Sequence, residues 1–235
     1  MNFNIAIVGA TGNVGREMLS ILSEKKYDAA KIFPVASKKS EGIEIEYGDQ
    51  KLIVESIEKF DSSKVQIALF SAGANTSKEW APKFADKGCI VIDNSSYFRM
   101  DNDIPLIVPE VNSDEIKQYK KRNIIANPNC STIQLVMALK PLHEISKIKK
   151  VIVSTYQSVS GAGKDGMDEL FEQTKDMFSE EIKDNVKFTK PIAFNVIPHI
   201  DKFMEDGYTK EELKMRQETN KILDKNINFS ATCVR

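Results

Sequence analysis

The sequence has few cysteines, and none lies near another. Cys89, Cys130 and Cys233 are spread over 235 residues, with no CxxC motif among them. Zinc sites usually draw on closely spaced cysteine pairs, so the sequence offers no zinc motif and we expect no resident metal. Unpaired cysteines are typical of a reducing compartment. The spacing therefore favours free thiols in a cytoplasmic protein.

An excess of charge of one sign and a long apolar run are also missing. Lys and Arg number 33 and Asp and Glu 34, which gives a net charge of −1. No electrostatic argument then points to nucleic acid or to a membrane surface as a partner. No apolar run approaches the roughly 20 residues of a transmembrane helix, and we expect no targeting segment. With 41% hydrophobic residues, the chain can bury one large or two small cores.

A glycine-rich turn follows the first apolar run, Ile5–Val8, which reads as a strand buried on both faces. A GxxGxxG motif comes next, and residues 16–25 have helical spacing. This order is typical of dinucleotide sites, where glycines let the backbone approach a pyrophosphate at a helix N-terminus. A tight turn with glycines kept only for packing is the alternative. The candidate cofactor residues are Gly9, Thr11, Gly12, Asn13, Val14 and Gly15.

The residues after the second predicted strand, 31–36, favour NADP over NAD. An NAD site usually has an acidic residue there to bind the ribose 2′-hydroxyl. This sequence has Ser37, Lys38, Lys39 and Ser40 instead. Two lysines and two hydroxyls suit a 2′-phosphate, although an exposed basic loop without a ligand has the same composition. We assign Lys39 and Ser40 to the cofactor.

Strands and helices go on alternating through the first half of the chain. This alternation predicts an α/β fold with a Rossmann-like, doubly wound, mainly parallel sheet, whose ligands bind at the carboxyl ends of the strands. Ser71 and Asn94 follow predicted strands, as Gly9 does, so these residues should share one edge of the sheet. The predicted strands are residues 51–56 (paired with 43–47), 65–70 and 89–93, and the predicted helices are residues 76–86 and 113–120.

One cysteine lies at a strand-to-helix turn. Ile124–Ala126 is strand-like, and an apolar run typical of a buried helix follows the turn. Pro128 restrains the turn, and Ser131 or Thr132 is expected to cap the helix start. Cys130 then lies at or beside a helix N-terminus, which favours a thiolate and whose N–H groups can hold an oxyanion. A buried structural cysteine is the alternative.

The second half of the chain predicts a second, smaller α/β domain. A capping box begins at Thr209 and opens a helix. No linker separates the halves, so we divide the chain into an NADP-binding domain, residues 1–128, and a catalytic and dimerisation domain, residues 129–235. The predicted strands here are residues 150–159 and 228–235, the predicted helices are 166–178 and 209–224, and residues 184–200 are predicted to be irregular or short-stranded.

Seven motifs occur in a defined order. They are IVGATGNVG (7–15), DNSS (93–96) with RMD (99–101), VPEVN (108–112), NPNCST (127–132), QSVSGAG (157–163), EELK (211–214) and ATCVR (231–235). Together they resemble, along the whole chain, the aspartate-β-semialdehyde dehydrogenase family. The resemblance implies enzymes that interconvert L-aspartate-4-semialdehyde and L-aspartyl-4-phosphate with NADP and phosphate. It also implies a homodimer or homotetramer in lysine, diaminopimelate, methionine, threonine and isoleucine biosynthesis.

The resemblance implies roles by position. Cys130 matches the nucleophile that holds an acyl thioester, and Gln157 matches the residue that orients the substrate near it. Arg235 matches the arginine that grips the substrate carboxylate, and Glu211 matches the acid that takes the amine. Without the resemblance, Glu211 and Lys214 would suit a surface ion pair and Arg99 a solvated loop charge. Arg99 and Lys214 match phosphate-binding positions, Asn94 joins the substrate residues, and Ser71, Ser160 and Gly161 join the cofactor contacts.

One family feature has no counterpart in this sequence. The family has a general-base histidine a few residues beyond the position of Arg235, where the sequence stops. His143 and His199 do not match it and are expected to be structural or surface residues. We therefore expect residues 1–235 to be a piece of a longer chain that binds NADP and turns over little or not at all. N-acetyl-γ-glutamyl-phosphate reductase, which shares the fold and thioester chemistry, and a non-catalytic NADP-binding relative are the alternatives.

Overall fold

The computed structural model describes residues 3–178 and 187–235. The chain divides into two compact units. The first is Met1–Met137 with Lys221–Leu223, and the second is Ala138–Asn220 with Asp224–Arg235. Within the described ranges, no helix has the length and apolar character that crossing a membrane requires.

The main sheet of the first unit has six strands in the order β5-β2-β1-β6-β7-β8, with every neighbouring pair parallel. The chain moves outward from β1 in one direction and then from β6 in the other, which confirms the predicted doubly wound α/β fold. The strands are β1 (Ile5–Val8), β2 (Ile32–Ala36), β5 (Glu55–Ser56), β6 (Ile67–Phe70), β7 (Ile90–Asp93) and β8 (Ile124–Ala126), and the helices are α1 (Asn13–Glu24), α2 (Ala74–Asp86), α3 (Pro109–Asn112) and α4 (Cys130–Ile145).

Both faces of this sheet are buried, and successive residues of β1 point to opposite sides. Val8 packs in a core cluster with Phe84 of α2. Ile7 packs in a second cluster with Leu19 of α1. Since each face has its own helices and its own core, an uninterrupted apolar strand is what the fold requires. The interpretation of Ile5–Val8 as a strand buried on both faces is confirmed.

The prediction of one strand at residues 51–56 is wrong, because the segment forms two strands. β4 (Gln50–Ile53) pairs antiparallel with β3 (Glu44–Tyr47), as expected. β5 pairs parallel with β2 in the main sheet, and the intervening Val54 is buried. The helix predicted at residues 113–120 is a 3-10 helix, Ser113–Lys121.

The second unit contains two parallel strands, β9 (Lys150–Tyr156) and β10 (Asn228–Val234), paired along their whole length. The strand predicted at 228–235 is confirmed, whereas the one predicted at 150–159 ends at Tyr156 and a 3-10 helix follows. Of the segment predicted to be irregular, residues 184–186 lie outside the described part, and 187–200 form turns and bends. The helices are α5 (Lys164–Asp176) and α6 (Lys210–Ile222).

Helix α6 begins with the predicted capping box. The Thr209 N–H donates to Glu212 Oε2 at 2.7 Å, and the Glu212 N–H donates to Thr209 Oγ1 at 3.3 Å. Glu212 Oε1 also accepts from the N–H of Cys233 at 3.1 Å, which ties the helix to β10. The box satisfies two amides at the helix start. It thereby fixes the first turn of the helix that carries Glu211 and Lys214.

Candidate active site

The glycine turn between β1 and α1 is too tightly packed for side chains. A Cβ on Gly15 would lie 2.2 Å from the carbonyl oxygen of Gly9, and a Cβ on Gly9 would lie 2.9 Å from the amide nitrogen of Ala72. Gly9 also has φ +90°, which other residues rarely adopt. The turn thus brings bare backbone to the start of α1, where N–H groups and the helix dipole favour an anionic group.

A cleft of about 450 Å³ opens at this turn. It lies where the strand order reverses, at the carboxyl ends of β1 and β6, which is the usual ligand position in a doubly wound sheet. Of the predicted cofactor residues, Gly9, Thr11, Gly12 and Ser71 line the cleft. The rest of the lining is Val8, Ala36, Ser37, Ile57, Glu58, Ala72, Thr76 and Trp80.

Sequence reasoning missed several lining residues, among them Glu58 and Trp80. Glu58 follows β5, whose place beside β2 only the sheet pairing reveals. Trp80 is the sole tryptophan of the chain, and the ammonium of Lys83 lies 4.0 Å from its ring centroid. The position of Trp80 makes its fluorescence a direct reporter of this cleft.

The predicted basic loop lies at the carboxyl end of β2. Lys38–Ser40 form a 3-10 turn, in which the Ser40 N–H donates to the carbonyl oxygen of Ser37 at 2.8 Å. Ser37 lines the cleft, and Lys39, two residues further along the chain, is exposed. Of the remaining predicted cofactor residues of the first unit, Asn13 and Val14 are exposed at the start of α1.

Cys130 is the first residue of α4. The Ile133 N–H donates to the carbonyl oxygen of Asn129 at 2.9 Å, so Asn129 holds the N-cap position. The expected cap by Ser131 or Thr132 is wrong, because both residues lie inside the first helical turn. Cys130 is exposed, with Sγ 3.8 Å from Oδ1 of Asn129. An exposed thiol at a helix N-terminus has the setting of a reactive cysteine.

The other two cysteines are buried and protonated. Burial raises the pKa of the Cys89 thiol to about 12. Burial raises the pKa of Cys233 to about 11, and the carboxylates of Glu211 and Glu212 add to this rise. Because the thiolate is the nucleophilic form, neither is a nucleophile at neutral pH. Cys130 is the accessible thiol of the three.

This difference predicts selective alkylation. Iodoacetamide at neutral pH is expected to modify Cys130 alone in the folded protein, because Cys89 and Cys233 are both buried and uncharged. Peptide mass spectrometry after a brief exposure measures the site. Denatured protein is the control, in which all three thiols should react. Modification of Cys89 before Cys130 in folded protein would contradict the prediction.

Arg99 is buried on the same sheet edge as Cys130. Its Nε donates to the carbonyl oxygen of Asn127 at 2.9 Å, and its Nη2 donates to that of Asn94 at 3.0 Å. Asn94 and Asn127 directly follow β7 and β8, and their side chains share a 2.6 Å hydrogen bond. The guanidinium is therefore bonded to the carboxyl ends of two adjacent strands. One of these bonds is to Asn127, which lies three residues before Cys130 in the chain.

A buried carboxylate, missed as an anchor, supports this loop. Asp93 ends β7 and is fully buried. It accepts from Ser77 Oγ at 2.6 Å, and from the N–H and Oγ of Ser95 at 3.0 and 2.7 Å. Three donors offset the cost of burying a carboxylate. Asp93 thereby fixes the backbone on both sides of Asn94.

The second unit brings Gln157, Glu211 and Lys214 together. Gln157 Nε2 donates to Glu211 Oε1 at 3.2 Å, while its Oε1 accepts from Thr155 Oγ1 at 2.9 Å. Lys214 Nζ lies 3.2 Å from Glu211 Oε2 and 3.2 Å from Asp201 Oδ2. The i,i+3 ion pair on α6 is present, but it is not a surface pair, because Glu211 is only 5% exposed.

Asp201 is the residue of this cluster that sequence reasoning missed. Burial alone would raise the pKa of its carboxyl. The Lys202 N–H and the Lys214 ammonium outweigh this effect and hold the pKa of Asp201 below its usual range. Lys214 is thus held between the carboxylates of Glu211 and Asp201. Asp201 lies 13 residues from Lys214 along the chain, so the sequence pattern shows no sign of this second ion pair.

Arg235 lies against the 3-10 helix that follows β9. Its Nε donates to the carbonyl oxygen of Ser158 at 3.1 Å. A Cβ on Gly161 would lie 2.6 Å from a guanidinium nitrogen of Arg235, so glycine leaves room for this side chain. The Ser160 N–H donates to Ser158 Oγ at 3.3 Å within the same turn. The structure therefore places the predicted residues Arg235, Ser160 and Gly161 together.

Both histidines have structural surroundings, as expected. His143 is buried, its Nδ1 accepts from the Ile148 N–H at 3.1 Å, and its Nε2 lies 3.7 Å from Asp224. His199 packs its ring 5.0 Å from that of Phe203. In residues 3–178 and 187–235, no group of three or more His, Cys, Asp and Glu side chains is placed to hold a metal ion.

Comparison with known proteins finds one family model that matches the first half of the chain and another that matches the second half. The family model of the semialdehyde dehydrogenase NAD-binding domain matches residues 4–119, and that of the dimerisation domain matches residues 139–235. Aspartate-semialdehyde dehydrogenase of Aquifex aeolicus is 54% identical over 100% of this chain and 70% of its own length. Aspartate-semialdehyde dehydrogenase 2 of Vibrio cholerae is 52% identical over 99% of this chain and 69% of its own length.

Solved structures agree as well. The crystal structure of aspartate semialdehyde dehydrogenase II from Vibrio cholerae superposes with a TM-score of 0.97 at 51% identity, covering 100% of this chain and 70% of that one. A second structure of that protein, complexed with ASA, gives the same values. On these matches, the chain belongs to the aspartate-semialdehyde dehydrogenase family of oxidoreductases, with an NAD(P)-binding domain followed by a dimerisation domain.

Proposed function

We propose that the protein is an NADP-dependent aspartate-semialdehyde dehydrogenase that works through an acyl thioester on Cys130. The reaction is the reversible reductive dephosphorylation of L-aspartyl-4-phosphate by NADPH, which gives L-aspartate-4-semialdehyde, phosphate and NADP. The observation that carries the proposal is the exposed Cys130 thiol at the start of α4, on the sheet edge that also holds the glycine cleft.

Cys130 forms and breaks the bonds to the substrate carbonyl carbon. Its thiolate adds to the aldehyde carbon, and oxidation of this adduct leaves an acyl thioester on the sulfur. When bound, the nicotinamide cofactor accepts the hydride. A phosphate oxygen then attacks the thioester carbon, the C–S bond breaks, and Cys130 leaves as a thiolate. N–H groups at the start of α4 stabilise the oxyanion that develops in both additions.

The glycine turn fits the dinucleotide that this proposal requires. At Gly9 and Gly15 a Cβ would collide with neighbouring backbone, so the loop keeps its N–H groups bare at the start of α1. Under the proposal, this turn with Thr11, Gly12, Asn13 and Val14 binds the pyrophosphate. Lys39 and Ser40 bind the 2′-phosphate. Ser71, Ser160 and Gly161 complete the cofactor residues.

The other polar residues are proposed to hold the substrate and phosphate. Arg235 presents a planar fork of donors, which suits the substrate carboxylate. Glu211 is a buried acid that suits the substrate amine, and Gln157, hydrogen-bonded to it, orients the carbonyl. Positive charge for the phosphate comes from Arg99 and Lys214, with Asn94 supporting Arg99.

The cofactor preference gives a direct prediction. Lys39→Glu is expected to raise the Kd for NADP about tenfold, equivalent to about 1.4 kcal/mol, because a carboxylate replaces an ammonium beside the 2′-phosphate. The Kd for NAD, which lacks that phosphate, should change by less than about threefold. Quenching of the fluorescence of Trp80, which lines the cleft, measures both constants.

Lys31→Glu is the matched control for Lys39→Glu. Lys31 immediately precedes β2, at the opposite end of the strand from Lys39, so it should leave both constants unchanged. Equal losses of NADP and NAD affinity in Lys39→Glu would show that the loop that contains Lys39 does not bind the 2′-phosphate.

The proposed reaction is tested in the full-length protein by its dependence on phosphate. Reduction of NADP should require both L-aspartate-4-semialdehyde and phosphate, and the product should be an acyl phosphate that hydroxylamine traps. The N-acetyl-glutamate semialdehyde serves as the competing substrate. Faster turnover of that compound would assign the chain to N-acetyl-γ-glutamyl-phosphate reductase, and NADP binding without turnover of either compound would favour a non-catalytic relative.

The setting of the reaction is part of the proposal. The L-aspartate-4-semialdehyde formed in the reductive direction supplies lysine, diaminopimelate, methionine, threonine and isoleucine biosynthesis in the cytoplasm. We assign NADP binding to residues 1–128 and catalysis and dimerisation to residues 129–235, with a homodimer or homotetramer as the working form. The match of residues 139–235 to a dimerisation domain supports the oligomer.

A further inference from the structure

The side chain of Lys221, near the end of α6, is bonded entirely to backbone. Its Nζ donates to the carbonyl oxygens of Arg99 at 2.8 Å, Asp101 at 2.7 Å and Ile104 at 3.1 Å. An ammonium has three N–H donors, so these carbonyls use all of them. Burial lowers the pKa of Lys221, and the carboxylate of Asp101 opposes that shift. Lys221 is half-buried, and its three hydrogen bonds to backbone carbonyls indicate a role in holding this loop.

The anchoring of Lys221 on one side is firm. The next residue, Ile222, is buried in the core cluster of the main sheet, and Leu223 packs against the same cluster. The backbone from which the Lys221 side chain extends is therefore fixed by the core of the main sheet. It reaches a loop whose Phe98 and Ile104 belong to that same cluster.

The loop that Lys221 holds carries Arg99. The carbonyl of Arg99 itself accepts from Lys221, while its guanidinium donates to the carbonyl oxygens of Asn94 and Asn127. The residue is thus fixed at both ends, its backbone by Lys221 and its side chain by the strand ends. Loss of one attachment would let the guanidinium shift without removing any charge from it.

We propose that Lys221 is a positioning residue for phosphate binding, because it sets the backbone position from which the Arg99 guanidinium reaches the phosphate. The inference rests on the proposed function, in which Arg99 binds phosphate. Lys221 itself uses its three donors on carbonyls and so has none left to offer the substrate. Its effect should therefore be confined to the step in which Arg99 takes part.

The test compares Lys221→Met, Lys221→Arg, Arg99→Ala and the double variant Arg99→Ala with Lys221→Met. Lys225→Met, at an exposed lysine four residues further on, is the matched control. For each variant of the full-length protein, KM is measured separately for phosphate, aspartate semialdehyde and NADP, with kcat and a thermal melt. Arginine keeps the charge and several donors, so it should restore part of what methionine removes.

Lys221→Met is expected to raise KM for phosphate about tenfold and to leave the other two KM values within about twofold. Because Lys221 acts through Arg99, the double variant should be no worse than Arg99→Ala alone. Full additivity of the two changes, or an unchanged KM for phosphate in Lys221→Met, would overturn the inference. An unchanged KM for phosphate in Arg99→Ala would instead overturn the proposed role of Arg99, and the inference with it.

Lys221→Gln keeps the test decisive if the methionine variant does not fold. The amide retains two N–H donors on a shorter side chain, so it should loosen the loop while preserving the fold. A rise in KM for phosphate alone supports positioning. An equal rise in all three KM values, or none in any, contradicts it, because general loosening of the structure has no reason to select phosphate.

Discussion

Cys130→Ser is expected to lower the dehydrogenase turnover of the full-length protein by at least about 10³-fold while NADP binding stays intact. A serine hydroxyl is neutral at working pH and a poor nucleophile without a matched base. The ester it would form also gives phosphate a poorer leaving group than a thiolate. Since Cys130 is exposed, the change of one atom removes little packing and should leave stability nearly unchanged.

Two measurements separate chemistry from binding in this variant. Formation of reduced cofactor reports turnover, and the fluorescence of Trp80 reports occupancy of the cleft. Intact-mass analysis with aspartate semialdehyde and NADP should find an acyl adduct on the native protein and none on Cys130→Ser. Cys89→Ala, which removes a buried thiol, should retain turnover for each folded molecule. Substantial activity in Cys130→Ser would remove this residue from the mechanism.

The sequence predicted the parts of the fold that are formed by residues close together in the chain. The strand, glycine turn and helix from Ile5 to residue 25 are contiguous, so their order alone identified them. The alternation of strands and helices fixed the doubly wound class, and the position of Cys130 after β8 followed from one apolar triplet. Where an element is determined by the spacing of residues along the chain, the sequence pattern was sufficient to predict it.

Contacts between distant segments were not predictable in the same way. The predicted strand at residues 51–56 is divided at Val54, because β4 pairs with β3 and β5 pairs with β2. No local propensity encodes this choice of partners. Ser77 of helix α2 donates to Asp93 of strand β7, and Lys214 donates to Asp201, which lies 13 residues away along the chain. Polar residues such as these carry no periodic signal, so the hydrogen bonds that orient the candidate site appear only with the fold.

The Asn129 cap shows a third kind of limit. Ser131 and Thr132 are of residue types that favour the N-cap, which is why one of them is expected there from the sequence. The helix begins one residue after Asn129, which places the other two inside it. A shift of one or two residues decides which side chain points along the helix axis, and boundaries are known from sequence only to that precision. For Cys130 the difference matters, because it makes the thiol the first residue of the helix.

The second large effect is expected at Gly15, where Gly15→Ala should destabilise the fold and weaken NADP binding at least about tenfold. The new Cβ would lie 2.2 Å from the carbonyl oxygen of Gly9 and 2.8 Å from Cα of Ala10. Gly9 cannot retreat, because its N–H donates to Val35 at 2.8 Å and Ala72 lies behind it. Helix α1 must therefore move away from the turn, and with it the N–H groups that the pyrophosphate needs.

Overpacking of this kind costs about 1–3 kcal/mol, which for a chain of this size lowers Tm by about 2–12 °C. Gly12→Ala is the matched control for stability, since its Cβ would have only the Gly9 carbonyl oxygen within reach, at 3.4 Å, and its φ of −77° suits any residue. Its Tm should stay close to that of the native protein. Thermal melts and titrations of Trp80 fluorescence with NADP measure both effects. Native Tm and native affinity in Gly15→Ala would mean that α1 can shift freely, and that the close approach of Gly15 to Gly9 does not position the pyrophosphate site.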